Sequence, residues 1–238
     1  MLQKINNIRI TARYQYFIES YSWVFLLISV NLFGQKIVEK SISSKADQII
    51  LEFNSIDEVL LFNSKKDTEI SIKAEGISYI PDFDLKEVNG VVYVRENEVI
   101  TDVDPIGADK VCSIEPNFTS YQVYVPESRK CYVSIIEGNF SSKNFTGDLN
   151  LIVETGIVRM SHMNASVKVK LNSGSILVQG IENTEIDAKT NLGLLITDPP
   201  FDGISEDEKQ VVTVLGGGHK SLMIRTILAN IYLNVSED

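Results

Sequence analysis

The stretch Leu149-Asn-Leu-Ile-Val-Glu-Thr-Gly156-Ile-Val recurs further along the chain as Val167-Lys-Val-Lys-Leu-Asn-Ser-Gly174-Ser-Ile. A third copy follows as Ile186-Asp-Ala-Lys-Thr-Asn-Leu-Gly193-Leu-Leu, and Gly138 precedes Gly156 by the same interval that separates Gly156 from Gly174. The last copy, Leu222-Met-Ile-Arg-Thr-Ile-Leu-Ala229-Asn-Ile, has alanine where the others have glycine. A constant period of about 20 residues predicts a stack of similar structural units, or rungs.

Each copy alternates apolar and polar residues on both sides of its glycine. Before Gly174, for example, Val167 and Val169 alternate with Lys168 and Lys170. Such alternation indicates β-strands with one buried face and one face in water. The glycine is expected at a sharp corner between two strands, because it reaches positive φ without steric cost. The predicted rung corners are Gly138, Gly156, Gly174 and Gly193.

The sequence therefore predicts an all-β protein, a short single-stack β-solenoid (β-helix-like) with two strands per rung of about 18 residues. Successive rungs would lie about 4.8 Å apart. An antiparallel sandwich is the alternative, since it also has short strands separated by turns. The constant offset of the corners favours the solenoid, as does the lack of an Asn-Gly or Asp-Gly turn between Gly138 and Gly193.

Residues 1–34 have the pattern of a secretory signal peptide. Three basic residues, Lys4, Arg9 and Arg13, precede a short apolar run from Trp23 to Phe33. This run is shorter than the roughly 20 apolar residues that a membrane span needs. Cleavage after Gly34 would leave Gln35 first and no transmembrane anchor, so the protein is predicted to be exported to the periplasm, cell surface or extracellular space.

The rest of the chain is predicted to have two parts. Residues 35–130 form a β-rich N-terminal start of the stack, without an obvious period, and residues 131–238 form the glycine-cornered rungs. The N-terminal part contains five strand-like segments: 49–53, 58–62, 69–73, 91–94 and 121–125. An acidic segment, 198–210, interrupts the rungs.

The chain has a net charge of −10, and without the leader, whose own charge is +2, it would have −12. An acidic surface repels phosphate backbones and anionic lipid head groups, which argues against nucleic acid and membrane surfaces as partners.

Two cysteines, Cys112 and Cys131, are the complete set. In an exported protein such a pair favours a disulfide bond. Cys131 precedes Gly138 at the position that other copies fill with an inward apolar residue, such as Leu149 before Gly156. A buried, unbridged cysteine that acts as a small hydrophobe is therefore an equal alternative.

No residue pattern predicts catalysis or a cofactor. His162 and His219 could act as bases, but neither has an identifiable orienting partner, and both are read as surface turn residues. The glycines at 216–218 are followed by His219-Lys220-Ser221 and a strand, so they predict a tight turn rather than a phosphate loop.

Acidic residues offer two weak candidates for a metal or catalytic site. Neither Asp102, Asp104 and Asp109 nor Asp202, Glu206, Asp207 and Glu208 has the spacing of a calcium loop. Glycosidic-bond cleavage needs paired carboxylates, usually beside aromatic side chains that stack on the sugar. The outward positions Asn150, Lys168 and Asp187, and Arg159, Leu177 and Ile196, show no acidic column and no aromatic platform.

Three motifs and the repeats together resemble a known group of bacterial domains. The motifs are Phe33-Gly-Gln35, Ile56-Asp-Glu-Val-Leu-Leu-Phe-Asn-Ser64 and Tyr121-Gln-Val-Tyr-Val-Pro-Glu127. The combination is similar to the putative-adhesin β-solenoid families of Bacteroidetes type, including head GIN domains, over roughly residues 48 to 235. The resemblance implies no catalytic motif. We therefore expect an exported, non-enzymatic binding or scaffold module of the cell envelope with a glycan, protein or other envelope ligand. The alternative is a small polysaccharide-processing β-helix enzyme.

Overall fold

The computed structural model describes residues 36–76, 81–97 and 119–235, and within these ranges the chain forms fourteen β-strands and no helix. The all-β prediction is confirmed. The described residues include no helix long and apolar enough to cross a membrane. The predicted signal peptide and its cleavage point lie outside the described residues.

All fourteen strands belong to one mixed sheet within a compact unit, Lys36–Asp238. The strands are β1 (Lys36–Ser43), β2 (Gln48–Asn63), β3 (Glu69–Gly76), β4 (Phe83–Val88), β5 (Val91–Glu96), β6 (Thr119–Val125), β7 (Lys130–Lys143), β8 (Asp148–Ser161), β9 (Val167–Gln179), β10 (Thr184–Thr190), β11 (Leu195–Asp198), β12 (Gln210–Val214), β13 (Lys220–Thr226) and β14 (Asn230–Asn234).

The sequence repeat appears in the structure as parallel pairing in the predicted register. Strand β7 pairs with β8, and β8 with β9, so that Leu151 lies between Val133 and Val169. Parallel neighbours of this kind do not fit the antiparallel sandwich. The expected two strands per copy are present in the copies of Gly193 (β10 and β11) and Ala229 (β13 and β14), whereas β7, β8 and β9 each run through the glycine as one strand. We call the part before the glycine the first arm and the part after it the second arm.

Close contact between successive rungs explains why glycine recurs at the corner. Gly156 and Gly174 have φ of 156° and 131°, values that residues with a side chain rarely adopt. A Cβ atom on Gly156 would overlap the carbonyl oxygen of Gly138, and one on Gly174 would overlap that of Gly156. Each corner glycine therefore leaves room for the backbone of the rung before it.

The N-terminal region contains a rung that the sequence did not reveal. Segments 49–53 and 58–62, expected as separate strands, are parts of the single strand β2. Strand β2 pairs in parallel with β7, and Ile49 lies opposite Cys131. The register shifts between Ser55 and Glu58, because β2 carries one extra residue where β7 has its corner glycine. This bulge, together with the missing glycine, hides the repeat.

One further parallel layer adjoins β2. Strand β5 pairs with the first arm of β2, and β6 pairs with its second arm. Beyond them the pairing becomes antiparallel, with β4 on β5, β3 on β6 and β1 on β3. The strands predicted at 69–73, 91–94 and 121–125 are thus confirmed as β3, β5 and β6.

The last copy of the repeat lies between the copy that contains Gly174 and the copy that contains Gly193. Strand β13 pairs in parallel with β9 on one edge and with β10 on the other, and β14 similarly separates β9 from β11. The neighbours of Val169 are therefore Leu151 and Ile224. Stacking in the order of the sequence would place Ala188 beside Val169, but copies that pair equally well need not stack in that order.

In addition to the glycine corner, a left-handed turn recurs at the end of the second arm. Asn144, His162 and Gly180 have φ of 55°, 50° and 64°. The backbone N–H of His162 donates to the carbonyl oxygen of Gln179 at 2.9 Å, which links successive turns. Three different residue types share this position, so it leaves little trace in the sequence, although asparagine and histidine adopt this conformation more readily than most residues.

Inward side chains of successive rungs form one apolar core. Leu151, Val169 and Ile224 are at most 1% exposed. Each such side chain stabilises the fold by about 1.5–3 kcal/mol relative to an exposed position. Other members of this first-arm core are Ile49, Leu51, Val133, Leu149, Val153, Val167, Leu171, Ile186 and Ala188.

Antiparallel strands and aromatic side chains cover both ends of the stack. At one end Phe83 of β4 is fully buried and packs edge-on against Tyr121, with ring centroids 5.9 Å apart. At the other end β12 pairs antiparallel with β10. Phe201, from the acidic segment noted in the sequence, is 8% exposed and belongs to the same core. In the described region, strands β1, β4, β11 and β12 each have a single partner strand and form the edges of the sheet.

Candidate binding site

Outward side chains of the second arms line a groove that crosses several rungs. We call this surface the second-arm face; its volume is about 320 Å³. Since equivalent residues of paired strands lie side by side, its members form rows perpendicular to the strands. The lining residues are Leu60, Phe62, Ser141, Ser142, Lys143, Arg159, Met160, Ser161, Leu177 and Gln179.

An aromatic pair adjoins one end of this groove. Phe62 of β2 lies opposite Tyr124 of β6, and their rings are stacked with centroids 5.2 Å apart and planes 24° apart. The Tyr124 hydroxyl donates to Oε1 of Gln122 at 3.3 Å, and both rings are partly exposed. A flat aromatic surface with a polar margin is suited to stacking against the C–H face of a sugar ring or against an apolar side chain.

Polar groups follow the aromatic pair along the groove. Ser141 donates its hydroxyl hydrogen to Glu58 at 2.5 Å, and the exposed Arg159 lies between Ser141 and Leu177 on adjacent strands. The described lining residues include no carboxylate, so the groove itself offers no pair of acids for glycosidic-bond cleavage. Its chemistry is that of contact and hydrogen bonding.

The sequence identified only part of this face. Arg159, Leu177 and Ile196 were expected to point outward, and they lie in one row with Leu60, Ser141 and Tyr232. The aromatic platform was missed because Phe62 and Tyr124 come from strands far from the repeats in sequence. The alternation of segment 58–62 was the available signal, but its register against β7 was not visible.

The predicted corner glycines occupy equivalent places but differ in conformation. Gly138, Gly156 and Gly174 have positive φ, whereas Gly193 does not. At Gly193 a Cβ atom would instead overlap the carbonyl oxygen of Ala229, the alanine of the last copy. These residues shape the backbone and present no functional group.

Cys131 lies on the inward side of β7, opposite Leu149. Its side chain is 1% exposed, and burial raises the pKa of its thiol to about 12. Such a thiol is a poor nucleophile because the reactive form is the thiolate. Cys112 lies outside the described residues, so the disulfide bond remains a prediction.

Both histidines are exposed. His162 occupies the left-handed turn after β8, and His219 precedes β13. Among the residues that the structure describes, neither imidazole forms a hydrogen bond with a carboxylate that could orient it. Gly216 and Gly218 have φ of 58° and 61° in the turn between β12 and β13, where a tight turn was expected.

Of the two acidic candidates, only the segment that follows β11 lies in the described part of the chain. Asp102, Asp104 and Asp109 lie outside the described residues. In segment 199–209, Asp207 accepts a hydrogen bond from Ser205 at 2.6 Å, which lowers the pKa of its carboxyl group. Within residues 36–76, 81–97 and 119–235, no group of three or more acidic, histidine or cysteine side chains could hold a metal ion.

Glu96 is a buried carboxyl group that the sequence did not single out. Its Oε1 accepts from the Tyr121 hydroxyl at 3.3 Å, and its Oε2 accepts from the backbone N–H of Asn54 at 3.1 Å. Burial raises the pKa of this group. Because both oxygens are engaged within the fold, its role in the described region is to join β2, β5 and β6.

Comparison with known proteins gives structural matches only. No protein-family model matches the chain, and no curated protein does. Solved structures do match. A putative cell adhesion protein from Clostridium sporogenes ATCC 15579 has a TM-score of 0.58 at 12% identity, covering 85% of this chain and 100% of that one.

A putative adhesin from Bacteroides fragilis NCTC 9343 matches with a TM-score of 0.36 at 11% identity, over 84% of this chain and 98% of the other. At such low identity the comparison with the Clostridium protein concerns the fold, and the lower-scoring match adds no argument. The resemblance to bacterial putative adhesins drawn from the sequence is thus confirmed, and this chain has the fold of the putative cell adhesion protein from Clostridium sporogenes.

Proposed function

We propose that the protein is an exported, non-enzymatic, adhesin-like binding module of the cell envelope, built as a β-solenoid. The match to a putative cell adhesion protein over the full length of that protein supports the binding role. Parallel ladders along both arms support the solenoid, since β7, β8 and β9 advance by one strand spacing per copy of the repeat. The basic leader and apolar run of residues 1–34 support export.

The observation that carries the proposal is the second-arm face. Its stacked aromatic pair, Phe62 and Tyr124, borders a groove whose lining also carries hydroxyl, guanidinium and amide groups. Surface aromatic residues are good contact groups because they offer a large rigid area and lose few rotamers on binding. We propose a glycan as ligand, with sugar rings on the aromatic pair and hydroxyl groups at Ser141, Arg159 and Gln179.

Binding of purified residues 35–238 to a glycan array, followed by calorimetry, tests this function. Tyr124→Ala should weaken binding to any glycan hit by about tenfold, corresponding to about 1.4 kcal/mol of lost contact. Tyr132→Ala is the matched control, because Tyr132 is a 38% exposed tyrosine on the first arm. Equal losses in the two variants, or no glycan hit, would refute the assignment of this face.

Two further measurements address export and the lack of catalysis. N-terminal sequencing of the protein from its native host should begin near Gln35. An intact Met1 on exported protein would contradict the proposed cleavage. Incubation with a glycan-degradation panel should give no products. Degradation that a carboxylate substitution abolishes would establish the alternative, a polysaccharide-processing enzyme.

A further inference from the structure

A column of three basic residues crosses the outward side of the first arms. Lys170 of β9 lies opposite Arg225 of β13, and Arg225 lies opposite Lys189 of β10. Adjacent strands are about 4.8 Å apart, so three positive charges lie within about 10 Å. The position of the last copy creates the column, because it places Arg225 between the two lysines.

This column is unfavourable for the protein alone. Like charges that face each other on adjacent strands destabilise a sheet. Asp187 offsets one charge, since it forms an ion pair with Arg225, whose Nη1 also donates to the Asp187 carbonyl oxygen at 2.8 Å. Among the described residues, Lys170 and Lys189 take part in no ion pair. The column therefore retains two positive charges in a chain of net charge −10.

A groove with a volume of about 430 Å³ runs along these basic residues. The next row of the same surface contains Asn172 and Asn191, which are exposed and lie on either side of Ile227. Ile152 and Ile227 provide exposed aliphatic surface at the groove, with 40% and 50% of their areas accessible. Cations, amides and aliphatic side chains thus meet in one depression.

We propose that this groove is a second binding site, specific for an acidic polysaccharide. Carboxylate or sulfate groups on the sugars would contact Lys170 and Lys189, because charge-assisted hydrogen bonds are the strongest polar contacts available there. Sugar hydroxyls would bond to Asn172 and Asn191, and the C–H surface of the ring would pack on the aliphatic side chains. Arg225, held by Asp187, keeps the column in place.

The size and charge of the surroundings favour a sugar acid over a nucleic acid. A nucleic acid carries a continuous series of phosphates and binds through extended basic surfaces. Here the basic residues are confined to three strands, and Glu154 borders the same groove. A polymer with anionic groups on compact sugar rings can form ionic contacts with a short column of basic residues. A longer phosphate backbone would extend beyond the column and be repelled by the acidic surface of the rest of the protein.

Calorimetric titration of residues 35–238 with defined polymers tests the second site. Polygalacturonate and dextran sulfate represent the carboxylate and sulfate sources, and methyl-esterified polygalacturonate and plain dextran are their neutral counterparts. We expect binding to at least one acidic polymer and none to its neutral counterpart. The double variant Lys170→Gln/Lys189→Gln should bind about tenfold more weakly. Lys86→Gln, an exposed lysine of β4, is the matched control and should bind normally.

Glu154→Gln provides a variant with the opposite expectation. Removing this negative charge from the groove should tighten binding of the acidic polymer two- to threefold, an effect that unfolding cannot produce. Loss of acidic-polymer binding in Lys86→Gln as well, or equal affinity for a single-stranded oligonucleotide, would overturn the proposal. Failure to bind any acidic polymer would do the same. Tyr124→Ala should leave acidic-polymer binding unchanged, so the two proposed sites can fail separately.

Discussion

Substitution of Val169 by aspartate tests the arrangement on which both binding faces depend. Val169 is 1% exposed and lies between Leu151 and Ile224. Loss of the buried valine surface costs about 2 kcal/mol. Burial of a carboxyl group without a partner adds about 1–3 kcal/mol even in its protonated form. We therefore expect about 3–5 kcal/mol of destabilisation at low pH, a large fraction of the roughly 5–15 kcal/mol that stabilises a typical domain.

The cost of Val169→Asp should grow as the pH rises. A carboxyl group in this apolar core has a raised pKa, so the folded state retains a proton that the unfolded state releases above its ordinary pKa of about 4. The free energy of unfolding then falls by about 1.4 kcal/mol per pH unit until the folded-state pKa is reached. Urea unfolding of residues 35–238 at several pH values measures this slope.

Lys168→Asp is the matched control for this experiment. Lys168 is the neighbour of Val169 in β9 but is exposed, so the same new side chain should cost less than about 1 kcal/mol and add little pH dependence. If Lys168→Asp proves as damaging as Val169→Asp, the assignment of inward and outward faces is wrong. A pH-independent loss in Val169→Asp would show that the new carboxyl group is in water.

Three further predictions concern the order, corners and charges of the stack. Lys168 and Met223 are paired across adjacent strands, so cysteines at these two positions should form a disulfide bond under mild oxidation. Cysteines at Lys168 and Asp187, which lie two strands apart, should not. The reverse result in mass spectrometry would refute the position of the last copy. Gly174→Val should lower the melting temperature strongly, because the side chain would have positive φ and overlap the preceding corner; an unchanged melting curve would contradict this contact. The hydrogen bond from Arg225 lowers the pKa of the Asp187 carboxyl group below its ordinary value of 3.8. The pair therefore stabilises the fold fully at pH values above 3.8, and this stabilisation is lost as the pH falls through the lower, folded-state pKa. Acid titration of Asp187→Asn by circular dichroism should therefore show a shallower loss of stability than the wild type, and identical slopes would count against the pair.

The repeats and their faces could be predicted from the sequence because the information is local. Alternation around Gly156 and Gly174 identifies inward residues, and a constant period aligns the copies. Parallel pairing of β8 with β9 follows that alignment residue for residue. The strand-rich character of the N-terminal region was equally accessible, since it depends on short segments such as 69–73 and 121–125.

The stacking order and both grooves depend on long-range pairing that no local pattern encodes. Ile224 and Ala188 are both apolar and equally suited to lie beside Val169, so the sequence could not choose between them. The alternating segments of β2 were predicted as strands, but β2 could not be recognised as a copy of the repeat because a bulge replaces its corner glycine. The aromatic pair and the basic column each combine strands distant in sequence, and neither could be found without the pairing of β2 with β6 or of β13 with β9 and β10.

The position of the last copy also has a consequence for biosynthesis. Residues 220–234 are flanked on both sides by strands that a ribosome produces earlier. The copy that contains Gly193 therefore cannot reach its final neighbours until residues 220–234 have been synthesised. A protein that folded rung by rung would be largely compact before its synthesis ended. Here the stack is completed only after residues 220–234 have been synthesised.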